Sequence, residues 1–223
     1  MVLVHVHLIQ KKYWYDGERL TKQFWDCLVD DPDGLLTRSA FYAGQSYMDY
    51  RVDGCTEKAL QWYRLFLRFK DTWIEEQYEA QMRLSRILMR LDNHKDRFDE
   101  IKNEMDKAIA IFGDRAEAYY FFGEYCGQQG KYELSYEYLK KAEACSLEHA
   151  ESNYSLFVNR TVYGIYVNNW LSVACFWTNR VEEGKALIME ILNNHKETFK
   201  DMVAHYEYNL DQFNVLEKKL SNA

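Results

Sequence analysis

The chain has a single proline, Pro32, in 223 residues. Proline interrupts helices because it offers no N–H and its ring collides with the preceding turn, so a chain almost without it is free to be helical nearly throughout. Cysteine is sparse. Cys27, Cys55, Cys126, Cys145 and Cys175 are odd in number and form no CxxC pair. This argues against a disulfide framework or a zinc ribbon, and for reduced thiols in a cytoplasmic protein. No apolar run approaches the ~20 residues of a membrane span. The opening residues lack the small-residue cleavage site of a signal peptide. Basic residues are outnumbered, 28 against 35, for a net charge of −7. A surface of that sign repels phosphates, so no nucleic-acid partner is expected. GxxxxGK, HExxH, GxSxG and GxGxxG are all missing, and the chain offers no catalytic residue or cofactor site by motif.

What the chain has in abundance is rings. Aromatics make up 16% of it, with 18 tyrosines. Bulky rings suit helix-on-helix packing, where large gaps must be filled. The first segment, Val2 to Tyr15, alternates Val2, Val4 and Val6 against His5 and His7, and predicts a short strand or extended piece. Asp16-Gly17 then reads as a turn, Leu20 to Leu28 as a short helix, and Asp30 to Gly34 as a break. Asp31-Pro32-Asp33 has a DxD form, but turn formation and helix capping account for it.

From Leu35 the apolar period becomes 3.6, and it repeats. The tetratricopeptide template places bulky, apolar, small and aromatic residues on helix A, then small, aromatic and alanine positions on helix B. Tyr119, Phe122, Gly123 and Cys126, followed by Ser135, Leu139 and Ala142, fit it without gaps. Ala40, Ala43, Gly44 and Tyr47, then Ala59, Tyr63 and Phe66, fit with a longer turn. Tyr78, Gln81 and Met82, then Ile101, Met105 and Ala108, make a looser copy with an insertion around 91–96. Trp170, Val173, Ala174 and Trp177, then Ala186, make the last. Glu197 to Leu220 is expected to close the stack. The predicted fold is therefore all-α, a right-handed superhelix of antiparallel helix pairs. A junction-like segment over 1–34 precedes a repeat domain over 35–223 and its capping helix. One pair cannot bury its apolar face, whereas several stacked pairs can.

Candidate contacts lie off the core stripe. Arg38, Tyr42, Gln45 and Asp49 share a second face of the first A helix, and Trp73 and Glu76 open the next. Groove positions of mixed to acidic character suit a basic or neutral ligand better than a carboxylate. His5 and His7 would stand on one strand face, but no third metal ligand is identifiable.

The runs Arg38-x2-Phe41-Tyr42-Ala43-x-Gln45-Ser46-Tyr47, Lys58-Ala59-Leu60-x-Trp62-Tyr63 and Trp73-x-Glu75-Glu76 follow one another closely. Together with Trp170 to Arg180, they resemble the helical-repeat region that follows the catalytic domain in viral and bacterial family 2 glycosyltransferases. That resemblance implies a non-catalytic module of a larger glycosyltransferase-like protein, positioning a glycan acceptor, a protein partner or an adjoining catalytic domain. Asp71-Thr72 stands where the family has Gly-Gly. No catalytic domain is present in these residues, so the chain alone is not expected to be an enzyme. The alternative is a tetratricopeptide adaptor that binds a peptide or protein.

Overall fold

The computed structural model describes residues 2–50, 54–91, 97–194 and 200–222, with side chains from 16 onward except those of 50 and 200. It divides into two compact units, Met1–Ile111 and Phe112–Ala223. No strand occurs among the described residues.

The first unit runs α1 (Val2–Val29), α2 (Leu36–Tyr50), α3 (Cys55–Phe66), α4 (Ile74–Leu91) and α5 (Phe98–Ile111), each helix packing on the next. The expected strand over Val2 to Tyr15 is the first half of α1. A lone strand leaves its backbone groups without a ladder, whereas a helix satisfies them within the segment. The expected turn at Asp16-Gly17 is also helical. Gly17 serves contact instead, since a Cβ there would lie 3.0 Å from the Tyr47 ring. Tyr47 crosses this interface and donates to Glu18 Oε1 at 2.7 Å. Phe24, Trp62 and Phe69 pack edge to face behind it. The DxD-like turn is a cap, with Asp31 accepting from the Leu35 and Leu36 amides at 2.6 and 3.0 Å as α2 begins.

The paired apolar positions of the first two copies fall inside. Ala40, Ala43, Tyr47, Ala59, Tyr63 and Phe66 are buried, as are Tyr78, Met82, Ile101, Met105 and Ala108. Gly44 faces the Tyr63 ring, with 3.1 Å left for a Cβ.

The second unit runs α6 (Ala116–Gln128), α7 (Tyr132–Glu143), α8 (Leu147–Asn153), a π-type turn (Val162–Tyr166), α9 (Val167–Trp177), α10 (Val181–Asn194), a 3-10 turn (Lys200–Met202) and α11 (Val203–Ser221). Gly123 lets α7 close in, since a Cβ there would meet Leu139 Cγ at 2.6 Å.

The last copy is displaced from its expected register. Gly130 and Asn179 are both left-handed, with φ of 72° and 59°. Each ends an A helix in the same way, with Lys131 N–H bonding the Cys126 carbonyl and Arg180 N–H bonding that of Cys175. Counted from these residues, Gly184 corresponds to Ser135, Ile188 to Leu139 and Ile191 to Ala142. Gly184, Ile188 and Ile191 are buried and Ala186 is exposed. Trp177, expected as an interior wedge, is 58% exposed and stacks on Tyr132. The rings of Trp170 and Trp177 imitate the template two residues too late. The closing helix exists as α11. It buries Tyr206 and Phe213 but exposes Tyr208 and Val215 among its outward polar residues.

Candidate functional site

In the template, Arg38, Glu76 and Glu117 occupy the same place, two residues before the bulky position of an A helix. The structure joins the first two. Arg38 Nε lies 3.9 Å from Glu76 Oε1, and the Arg38 guanidinium sits over the Tyr42 ring at 5.8 Å. Both residues lie in the first turn of their helices, α2 and α4. Gln45 and Asp49 continue the α2 row. Glu79 and Arg83 continue the α4 row and form an ion pair. Trp73 precedes α4 on the connecting turn, half exposed.

Polar groups in this row are deeply placed. Glu76 and Glu79 are 2% and 4% exposed, while the Arg38 side chain is 57% exposed. Burial raises the Glu76 carboxyl above the ordinary carboxylate range, with Arg38 pulling against it. Tyr63 is fully buried on α3. Burial raises its hydroxyl, Arg83 lowers it, and Glu79 and Asp49 push it up again. Three buried acceptor oxygens receive no hydrogen bond: Gln45 Oε1, Glu76 Oε1 and Glu79 Oε2. Buried polar atoms without partners are uncommon and costly. The spacing gave no reason to single out Glu79 and Arg83. Yet they stand i+3 and i+7 from Glu76, and i+7 is the step that leads from Arg38 to Gln45.

The equivalent carboxylate of the second unit is fully satisfied. Glu117 and Arg115 are both wholly buried and form a forked ion pair, with Nε–Oε2 at 3.2 Å and Nη2–Oε1 at 2.9 Å. Glu117 also accepts from the Asn159 amide at 2.9 Å and the Tyr163 hydroxyl at 3.0 Å. Arg115 in turn donates to the Leu156 and Phe157 carbonyls at 3.3 and 2.7 Å. A piece of the chain's own loop, with Phe157 in the left-handed region at φ 62°, therefore lies against the start of α6.

Two other places gather reactive or apolar side chains. Asp114, Tyr119, Lys141, Cys145 and His149 line one cleft, which brings together the residue types of a cysteine–histidine–aspartate triad. The geometry does not make one. His149 Nε2 meets Asp114 Oδ2 at 2.7 Å and Nδ1 faces the Asn153 amide at 3.2 Å, so both ring nitrogens are engaged. The Cys145 thiol donates to the Lys141 carbonyl, and burial pushes it up to about 11. A cleft of about 150 Å³ between α9 and α11 is lined by Phe176, Ile188 and Phe213. His5 and His7 fall on α1 with their side chains outside the described residues. Among the described residues, no three His, Cys, Asp or Glu side chains gather as metal ligands. No described helix is long and apolar enough to cross a membrane.

Antiparallel helix pairs, small residues at their crossings and a polar A-helix row together define a tetratricopeptide-like helical-repeat protein. Solved structures agree. A crystal structure of MamA protein superposes with a TM-score of 0.55 at 16% identity, covering 86% of this chain and 94% of that one. MamA 41-end from Desulfovibrio magneticus RS-1 gives 0.54 at 14% identity, over 82% and 96%. TTC0263, a thermophilic TPR protein of Thermus thermophilus, gives 0.53 at 13% identity, over 90% and 98%. At these identities the likeness is one of fold. No protein-family model and no curated protein sequence matches the chain.

Proposed function

We propose that the chain is a protein-interaction module that holds a partner polypeptide against the A-helix face of its first unit. The observation that carries this reading is the α2–α4 polar cluster, where Arg38 and Glu76 sit at matching template positions and Gln45, Glu76 and Glu79 each keep a buried acceptor oxygen without a hydrogen bond. The tetratricopeptide-like fold supports an adaptor over the glycosyltransferase-associated module that the sequence motifs imply. Within the row a polypeptide suits the face better than a glycan, because the ring of Tyr42 is covered by Arg38 instead of offering a flat platform to a sugar. The cytoplasm, where the thiols would remain reduced, is the compartment in which we place this interaction.

The test is site-specific photo-crosslinking in the native host. A photoreactive phenylalanine analogue at Tyr42 should yield a discrete cross-linked polypeptide, and one at exposed Ala186 should not. A glycan adduct at Tyr42, or no adduct at either position, would overturn the reading.

A further inference from the structure

Resting on that reading, we infer that the α2–α4 face selects a segment carrying an arginine side chain, with Glu76 and Glu79 as its carboxylate partners and Gln45 as an additional acceptor. The argument begins with a contrast inside the molecule. Glu76 and Glu117 are the same residue at the same template position, and both are buried. Glu117 is satisfied by a guanidinium fork, a backbone N–H and a hydroxyl, all from its own chain. Glu76 Oε1 has only the Arg38 contact at 3.9 Å, which is too long for a hydrogen bond.

A buried carboxylate oxygen left in this state disfavours the free protein. Its complement is a donor, and the complement with two parallel N–H groups is a guanidinium. Glu79 Oε2, one turn along α4 from Glu76, and Gln45 Oε1 on α2 lack donors as well. The second unit shows the same chemistry satisfied from within. There an arginine and the loop from Leu156 to Asn159 lie together against a buried glutamate. Arg38 is exposed and held by the long contact to Glu76 and by the Tyr42 ring, and a bound arginine would take over the first of these.

The experiment uses the full chain and four pools of capped ten-residue peptides, measured by fluorescence anisotropy. Each pool has neutral randomised flanks and one fixed central residue: arginine, lysine, norleucine or glutamate. The arginine pool should bind at least about tenfold tighter than the norleucine pool, the factor given by one charge-assisted hydrogen bond. Glu76→Gln should bring the arginine pool close to the norleucine pool without lowering the melting temperature. Glu79→Gln should act in the same direction, and Arg38→Ala should leave arginine binding equal or tighter. Equal binding of the arginine and norleucine pools would end the arginine inference while leaving the interaction module in place. So would a glutamate pool that binds best and is lost in Arg38→Ala, or a Glu76→Gln variant that melts well below the parent. Failure of every pool to bind would count against the interaction module itself.

Discussion

The Glu76 carboxylate costs the fold something that its one partner does not return. Arg38 is too distant and too exposed to offset the burial of a charge. Replacing the charged oxygen by a neutral amide should therefore stabilise the free protein. We expect Glu76→Gln to raise stability by about 1 kcal/mol, a rise in melting temperature of about 2–4 °C for a chain of this size. Differential scanning calorimetry measures it directly. The pH dependence has a definite sign. Burial raises the folded carboxyl above its unfolded value, so the folded state holds the proton more tightly. Stability should then fall as pH rises from the ordinary glutamate range through the raised folded value, and level off above it. Urea melts across that window should show this slope in the parent and lose it in Glu76→Gln. A slope of the opposite sign would mean that Glu76 is well partnered in solution.

The helix pairs carry a different kind of prediction, because their crossings are set by small residues. A methyl group on Gly184 would reach 2.2 Å from Phe213 Cζ and 3.0 Å from Cys175 Cβ, with Phe213 itself buried. Gly184→Ala should cost about 1–3 kcal/mol despite the better helix propensity of alanine. Exposed Ala186→Ser should stay within about 0.5 kcal/mol. Paired thermal melts decide which of the two is the interior position of the last copy. The copies at Gly44 and Gly123 were legible because each small residue and its bulky neighbours keep template spacing within both helices, the Gly44 copy differing only in a longer turn. The last was legible as a pair but not in register, since Trp170, Ala174 and Trp177 reproduce the pattern two residues along. Only the left-handed Asn179 marks the true helix end, and its φ cannot be read from composition. Likewise, alternation in Val2 to Tyr15 is a local signal, and it gives way where no other strand exists to complete a sheet among the described residues. The loop pinned by Arg115 and Glu117 was not legible at all, because Arg115 holds Leu156 and Phe157, and Glu117 holds Asn159, through the loop's backbone groups. Arg115→Ala leaves Glu117 charged and buried beside that loop, and should cost about 3–5 kcal/mol. Hydrogen exchange should rise first over 154–163, around the Asn159 amide that Glu117 accepts.

For the molecule as a whole, charge is unevenly shared. Met1–Ile111 holds 17 basic and 19 acidic residues, while Phe112–Ala223 holds 11 and 16. The proposed arginine site thus belongs to the nearly neutral unit, and the larger negative excess to the other. A long-range field acts on encounter, and it is screened beyond a Debye length of about 8 Å at physiological salt. Buried carboxylates act on the docked complex, where screening is weak. The two contributions should separate in stopped-flow measurements with the arginine pool. Raising salt from about 50 to 500 mM should slow association, by less than about tenfold because the local unit is nearly neutral, and leave dissociation almost unchanged. Glu76→Gln should do the reverse, speeding dissociation with little effect on association. If salt instead accelerated dissociation as strongly as the mutation does, the contact would be a solvent-exposed one on the rim. The buried acceptors of α4 would then be structural features of the helix pair, with no part in recognition.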